Sequence, residues 1–149
     1  MKTTIRPILI AEDNANDVEL TLAALRGHGI ANQIVVVRDG AEALDYLYRR
    51  GAYASRSAEP PGVILLDLKM PKVDGLEVLR TVKADAALRT IPVVVLTSSA
   101  EESDLVRSYD LGVNAYVVKP VVFAEFVNAV KVVGQFWAVV NQGPSASRE

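Results

Sequence analysis

The chain of 149 residues contains no cysteine and only one histidine, His28. The lack of cysteine excludes disulfides and thiolate metal ligands, and a single histidine cannot form a two-histidine zinc site. His28 lies in the segment Arg26-Gly27-His28-Gly29, which is typical of a helix end. We therefore interpret it as a solvated or capping residue.

Long apolar runs, basic clusters and glycine-rich phosphate loops are also missing. No run approaches the length of a membrane span and the N-terminus lacks the apolar region of a signal peptide, so we expect a cytoplasmic protein that does not bind membranes. The formal net charge is −2 and no basic patch is present, which argues against direct binding of nucleic acid. Without a Walker or dinucleotide-binding loop, neither a nucleotide kinase nor an oxidoreductase is indicated.

Short runs rich in β-branched residues alternate with segments of helical periodicity. Strands are predicted at 8–10, 33–37, 63–66, 92–96 and 115–118, and helices at 15–25, 41–48, around Leu76, Leu79 and Val82, and at 101–111 and 123–140. Because four of the strands are almost wholly apolar, they should lie in a parallel sheet covered on both faces. We predict an α/β fold with a doubly wound, flavodoxin-like sheet of five parallel strands, in the order 2-1-3-4-5, and five helices.

One domain accounts for residues 1–149, with a core of about residues 6–140. Residues 49–61 (RRGAYASRSAEPP) form a polar insertion that predicts a long loop, or a helix extension followed by a loop. The polar tail at 142–149 is expected to be flexible.

Polar side chains follow four of the predicted strands. Glu12 and Asp13 end the first strand, Asp67 the third, Thr97 the fourth and Lys119 the fifth. Ligands of an open parallel sheet bind outside the carboxyl ends of its strands, so these side chains should converge. Each one alone could be a helix cap or a solvated residue, but three acids together raise one another's pKa unless a cation is present.

The chemistry of this cluster suits a divalent metal and a phosphoryl group. A few carboxylates with open water positions suit Mg²⁺, and a carboxylate beside Mg²⁺ can attack a phosphoryl group to give an aspartyl phosphate. Lys119 and the hydroxyl of Thr97 would stabilise the charge on the phosphoryl oxygens. The sequence therefore predicts phosphoryl capture by one aspartate.

These motifs resemble the receiver domain of two-component response regulators. The resembling segments are Glu12-Asp13, Asp67 followed by Met70-Pro71 and Asp74-Gly75, Thr97-Ser98, and Lys119-Pro120. Within the family, the Glu12-Asp13-Asn14 start, the long segment at 48–61, the Leu-Thr-Ser-Ser run and Phe136-Trp137 resemble small regulators paired with bacterial phytochrome-type histidine kinases.

The resemblance implies a phosphoacceptor and a metal site. Asp67 would take a phosphoryl group from a phosphohistidine on a sensor histidine kinase. Glu12, Asp13, Asp67 and the backbone carbonyl of Lys69 would hold Mg²⁺, for which Mn²⁺ or Ca²⁺ can substitute. Glu12 stands where the family often has aspartate, a change that can weaken or reposition the metal.

The resemblance also implies a switch. Thr97 would move towards the phosphoryl group, Tyr116 would be the aromatic switch residue that turns inward with it, and Lys119 would pair with the phosphate. The Lys119-Pro120 bond is expected to be cis. Because no further segment follows the receiver, we expect a stand-alone regulator without a DNA-binding or enzymatic output domain, which signals through altered protein contacts. The sub-family resemblance implies a role in light signalling.

The last predicted helix has two apolar stripes. The stripe expected to face the core is Phe126, Val130, Val133, Trp137 and Val140, and the second is Ala129, Val132, Phe136 and Val139. One interpretation is a helix that packs more deeply. The other is a homodimer through the fourth helix, fifth strand and fifth helix. Its predicted interface residues are Leu105, Tyr109, Val132, Phe136 and Val139.

Two other functions match parts of the pattern. A Mg²⁺-dependent phosphohydrolase that works through an aspartyl phosphate usually has an acid two residues after its nucleophile and a cap domain, whereas this chain has Lys69 there. A degenerate receiver that only binds partners would lack Asp67, an acid of the pair or Lys119, and all are present. The sequence favours a phosphoacceptor signalling protein that is not an enzyme, beyond self-phosphotransfer and autodephosphorylation.

Overall fold

The computed structural model describes residues 6–57, 59–108, 111–113 and 115–133. The strands are β1 (Ile8–Ala11), β2 (Ile34–Val37), β3 (Val63–Asp67), β4 (Val93–Thr97) and β5 (Ala115–Val118). The helices are α1 (Ala15–Arg26), α2 (Gly40–Tyr48), α3 (Gly75–Ala84), α4 (Ala100–Ser108) and α5 (Phe123–Val133), and a 3₁₀ turn spans Gly51–Tyr53. The strands pair in parallel in the order β2-β1-β3-β4-β5, which confirms the predicted architecture. Within the described residues, no helix is both long and apolar enough to cross a membrane.

The three central strands are buried along their whole length because both faces of the sheet are covered. Alternate residues of a strand point to opposite faces. Leu9 and Leu66 therefore belong to a core layer that α2 and α3 cover, while Ile10 and Leu65 belong to the layer that includes Phe126 of α5. Phe126 and Val130 of the predicted core-facing stripe are fully buried.

Side-chain caps fix the start of the three helices that follow β1, β2 and β3. Asn14, Asp39 and Asp74 each accept a hydrogen bond from the backbone N–H three residues later, at 3.0, 2.7 and 2.9 Å. A cap of this type stabilises a helix by about 1 kcal/mol. Each cap also holds the chain that leaves the carboxyl edge of the sheet, where the predicted site lies.

The fourth helix differs from its predicted range of 101–111. It begins at Ala100, is described as helix to Ser108, and Leu111 is not helical. Leu111 packs against the core layer of α2 and α3 from outside the helix, so its apolar character reflects burial. The predicted part of the last helix beyond Val133 lies outside the described residues.

The insertion at 49–61 contains the 3₁₀ turn and is attached to α2 by Arg56. The Arg56 guanidinium donates to the carbonyl oxygens of Tyr46, Leu47 and Glu59 at 2.7, 3.3 and 3.0 Å. It also lies 4.3 Å from the centroid of the Tyr46 ring. Backbone carbonyls in the last turn of a helix lack partners within the helix, and Arg56 donates to two of them here.

Candidate metal and phosphoacceptor site

Three carboxylates meet where β1 and β3 end. Glu12 and Asp13 follow β1, and Asp67 is the last residue of β3, which pairs with β1. One oxygen from each carboxylate lies within 4.8 Å of the others. Glu12 and Asp67 are 1% and 4% exposed, whereas Asp13 is open to solvent. The predicted acidic cluster is therefore present, and it is accessible from the side of Asp13.

Burial raises the pKa of Glu12 to about 7. The backbone N–H of Asn14, which donates to Glu12 Oε2 at 3.1 Å, opposes this rise, and the negative charge of Asp67 adds to it. Buried acids that destabilise one another's charge are relieved by a bound cation. Carboxylate oxygens are also the ligands that Mg²⁺ takes, so the chemistry of this donor set fits the ion.

Lys119 connects the acidic cluster to α1. Its Nζ lies 2.8 Å from Asp17 Oδ2, 3.2 Å from Glu12 Oε1 and 3.5 Å from Asp67 Oδ1. Burial alone would lower the pKa of Lys119, but the hydrogen bond to Asp17 and the charges of Asp67 and Glu12 raise it above its ordinary value. Lys119 is therefore a permanent cation beside Asp67. The Lys119-Pro120 bond is cis, as expected.

Thr97, the last residue of β4, is fully buried. Its Oγ1 lies 2.9 Å from the Oγ of Ser103, which is on α4 and 6% exposed. The N–H of Ser98 donates to Glu102 Oε1 at 2.7 Å. The turn between β4 and α4 is thus held by side chains of α4 itself.

The remaining predicted site residues lie on neighbouring elements. Tyr116 on β5 is half-buried and its hydroxyl donates to the carbonyl of Val113 at 3.2 Å. The Lys69 side chain points towards α4, with Nζ 3.6 Å from Glu102 Oε2. The role of the Lys69 carbonyl as a metal ligand remains a prediction.

The predicted interface residues fall into two groups. Leu105 and Val132 are 57% and 60% exposed. Tyr109, Phe136 and Val139 lie outside the described residues.

Asp17 and Ser103 were not predicted from the sequence. Asp17 is an acid in the first turn of a helix, a position that the helix dipole alone explains. Ser103 is one of several serines that follow Thr97. Neither has a sequence signal that separates its contact from an ordinary helix position.

A parallel sheet of this order defines the flavodoxin-like class of fold, and the acids and the lysine at its carboxyl edge are a candidate metal and phosphoacceptor site. The family model of the response regulator receiver domain matches residues 8–131. The chain belongs to this family.

Solved structures agree with this assignment. The bacteriophytochrome response regulator AtBRR is 61% identical, with a TM-score of 0.89, over 94% of this chain and 100% of that one. The bacteriophytochrome response regulator RtBRR is 58% identical, with a TM-score of 0.88, over 97% of this chain and 87% of that one.

A curated relative, the response regulator Rcp1 of Synechocystis sp., is 37% identical over 139 residues, which cover 93% of each chain. The solved Mn²⁺-bound form of Rcp1 has a TM-score of 0.70 and covers 93% of this chain and 99% of that one. Receiver domains bind Mg²⁺, and the cluster of Glu12, Asp13 and Asp67 is consistent with that cofactor.

Proposed function

We propose that Asp67 accepts a phosphoryl group from a phosphohistidine of a sensor histidine kinase. The observation that supports this best is the position of Asp67: its carboxylate belongs to a three-acid cluster within 4.8 Å and lies 3.5 Å from the Lys119 ammonium. A nucleophilic carboxylate between a metal site and a fixed cation is the arrangement that phosphoryl transfer requires.

The transfer exchanges one bond for another. An oxygen of Asp67 forms the new P–O bond while the P–N bond of the phosphohistidine breaks, and the electron pair of that bond returns to the imidazole nitrogen. Glu12, Asp13, Asp67 and the Lys69 carbonyl would hold Mg²⁺, which would neutralise part of the charge on the phosphoryl oxygens. Lys119 compensates a second part of that charge, and the Thr97 hydroxyl donates a hydrogen bond to a phosphoryl oxygen.

The output would be a change of surface around α4 and β5. A new dianion orders nearby donors and biases an element with two arrangements. Thr97 hydrogen-bonds to α4, and its register partner on the neighbouring strand β5 is Val118, two residues after Tyr116. Movement of Thr97 towards Asp67 would therefore change the environment of both elements.

Labelling with a small phosphodonor tests the acceptor. The wild type is incubated with Mg²⁺ and acetyl phosphate and its intact mass is measured. A labile phosphoryl adduct is expected in the wild type and in the control Asp104→Asn, which changes an exposed acid of α4. No adduct is expected in Asp67→Asn. An adduct that persists in Asp67→Asn, or a wild type that is never labelled, would contradict the proposal.

We also infer that the partner kinase is of the bacteriophytochrome type, with light as the stimulus. Support comes from AtBRR and RtBRR, which are described as bacteriophytochrome response regulators and share 61% and 58% identity with this chain. Phosphotransfer from a bacteriophytochrome kinase should be faster than from a kinase with an unrelated sensor. Equal rates from both would count against this partner.

A signalling role is favoured over hydrolysis of small phosphate esters. The position two residues after Asp67, where such hydrolases usually have an acid, holds Lys69, whose ammonium pairs with Glu102. Incubation with p-nitrophenyl phosphate and Mg²⁺ should release about one equivalent per chain and then continue only as fast as the aspartyl phosphate at Asp67 hydrolyses. Sustained turnover faster than that hydrolysis would show an enzyme instead.

We propose a homodimer through α4, β5 and α5. The support for this dimer is that each of the three elements has an exposed apolar side chain. Leu105 on α4 is 57% exposed, Val118 on β5 is 39% exposed and Val132 on α5 is 60% exposed. Sedimentation over a concentration series should show a dimer in the wild type and a monomer in Leu105→Glu/Val132→Glu. The matched control is Leu20→Glu, which changes a similarly exposed leucine on α1. A strict monomer at high concentration would disprove the dimer.

A further inference from the structure

The hydroxyls of Thr97 and Ser103 form a hydrogen bond whose direction can be deduced. The two Oγ atoms lie 2.9 Å apart, and both side chains are buried. The Ser103 hydroxyl also donates to the backbone carbonyl of Ser99, at 3.4 Å. Because a hydroxyl has one proton to donate, both hydrogen bonds form together only when Ser103 accepts from Thr97. The Thr97 proton is therefore committed to α4 in this arrangement.

A phosphoryl group on Asp67 would require the same proton. Phosphoryl oxygens only accept hydrogen bonds, so Thr97 can bind one only by donating to it. Ser103 and the phosphoryl group then compete for a single donor. We propose that Ser103 is a positioning residue, which holds the Thr97 hydroxyl in the unphosphorylated protein. It thereby sets how favourable the hydrogen bond from Thr97 to the phosphoryl group is. This inference rests on the proposed function of Asp67.

The position of Ser103 explains how this competition would reach the surface. Ser103 is in the first turns of α4, next to Glu102, which binds the N–H of Ser98 and pairs with Lys69. When Thr97 turns away, Ser103 is left buried without its donor. A buried polar group that loses its partner is costly, so the first turns of α4 would shift to satisfy it.

Removal of the Ser103 hydroxyl should favour the phosphorylated arrangement. In Ser103→Ala, the buried Thr97 hydroxyl loses its resting partner, and donation to the phosphoryl group becomes relatively more favourable. Beryllofluoride, which mimics the phosphoryl group on aspartate, should bind about threefold to tenfold more tightly in the presence of Mg²⁺. Ser103→Thr, which retains the hydroxyl, should restore the wild-type affinity. Ser55→Ala removes an exposed serine and should change nothing.

A second measurement needs no metal and no phosphoryl mimic. Three-bond NMR couplings to the Thr97 methyl carbon report its χ1 angle. One rotamer is expected in the wild type and in Ser103→Thr, and averaging between rotamers in Ser103→Ala. A role limited to filling the core would lower stability without changing these couplings.

The outcomes separate this inference from the proposed function. A wild type that does not bind beryllofluoride would contradict the proposed function itself. A wild type that binds it, with the same affinity and the same Thr97 rotamer as Ser103→Ala, would overturn the positioning role alone. In a Thr97→Ala background, Ser103→Ala should have no effect on affinity, because the two residues act through one bond. If Ser103→Ala does not fold, Ser103→Cys decides, because a thiol is a weak acceptor and should also tighten binding.

Discussion

Lys119 is bound more closely by Asp17 than by Asp67, with distances from Nζ of 2.8 Å and 3.5 Å. Asp17 belongs to α1 and Asp67 ends β3, so the lysine divides its charge between a helix and the proposed acceptor. The strength of the Lys119 interaction with a phosphoryl group therefore depends on a residue outside the acidic cluster.

Replacement of Asp17 should release Lys119 towards the acceptor. In Asp17→Asn the ammonium loses a competing negative charge, so we expect beryllofluoride to bind a few-fold more tightly, with affinity measured by titration in Mg²⁺. Glu19→Gln, which changes an exposed acid on the same helix, should leave the affinity unchanged. Weaker binding in Asp17→Asn would instead show that Asp17 is needed to hold Lys119 in place.

Asp13 should affect metal binding with little effect on the metal-free fold. It is exposed, so Asp13→Asn should change the free energy of unfolding by less than about 0.5 kcal/mol without metal. A ligand that binds only the folded state raises its stability, and Mg²⁺ should therefore raise the melting temperature of the wild type. That rise should be largely lost in Asp13→Asn and retained in Asp104→Asn. An equal rise in both variants would exclude Asp13 as a ligand.

Gly75 allows the close approach of α3 to the end of β3, where Asp67 lies. A Cβ at this position would lie 2.1 Å from the carbonyl oxygen of Asp67 and 2.5 Å from the Cα of Leu68. Gly75→Ala should therefore destabilise the protein by about 1–3 kcal/mol in chemical denaturation and also weaken the Mg²⁺ response.

Gly112→Ala is the matched control for this prediction. A Cβ there meets no atom within 4 Å, but φ is +77°. It should lower stability through backbone strain while the Mg²⁺ response is preserved. If both variants retained the response, Gly75 would have no role in positioning Asp67.

Tyr53 should ionise late. Burial, followed by the hydrogen bond of its hydroxyl to Glu42, raises the pKa of Tyr53 from 10.0 to about 12. The folded protein favours the neutral phenol of Tyr53. The contribution of this preference to the free energy of unfolding is complete below pH 10.0 and is lost as the pH rises through about 12. In a pH titration followed by tyrosinate absorbance, the difference between the wild type and Tyr53→Phe should have its midpoint near pH 12. The Tyr53 midpoint should be lower in Glu42→Gln, because the hydrogen bond to Glu42 is weakened. A wild-type midpoint near 10 would contradict this prediction.

The sequence predicted the site residues that end apolar runs. Asp67 and Thr97 each close a buried strand, and parallel strands place their carboxyl ends at one edge, so strand order alone brings them together. Asp17 could not be predicted in this way, because it precedes its partner Lys119 by 102 positions. An acid in the first turn of a helix is also already explained by the helix dipole. The contact of Ser103 depends on the rotation of α4 about its axis, which periodicity gives only approximately. Leu111 was assigned to that helix because a buried apolar residue gives the same signal inside or outside a helix.

The close contact between Gly75 and Asp67 makes the α3 side of the acidic cluster more rigid than its α4 side. On the α3 side, the N–H of Gly75 donates to the carbonyl of Leu68 at 2.8 Å, and backbone lies directly against backbone. On the α4 side, the turn is held by exchangeable hydrogen bonds that the side chains of Glu102 and Ser103 accept from Ser98 and Thr97. The α3 side of the cluster is therefore rigid, whereas the α4 side can rearrange. Sequence changes near α3 should abolish the response to phosphorylation, and changes near α4 should alter its size.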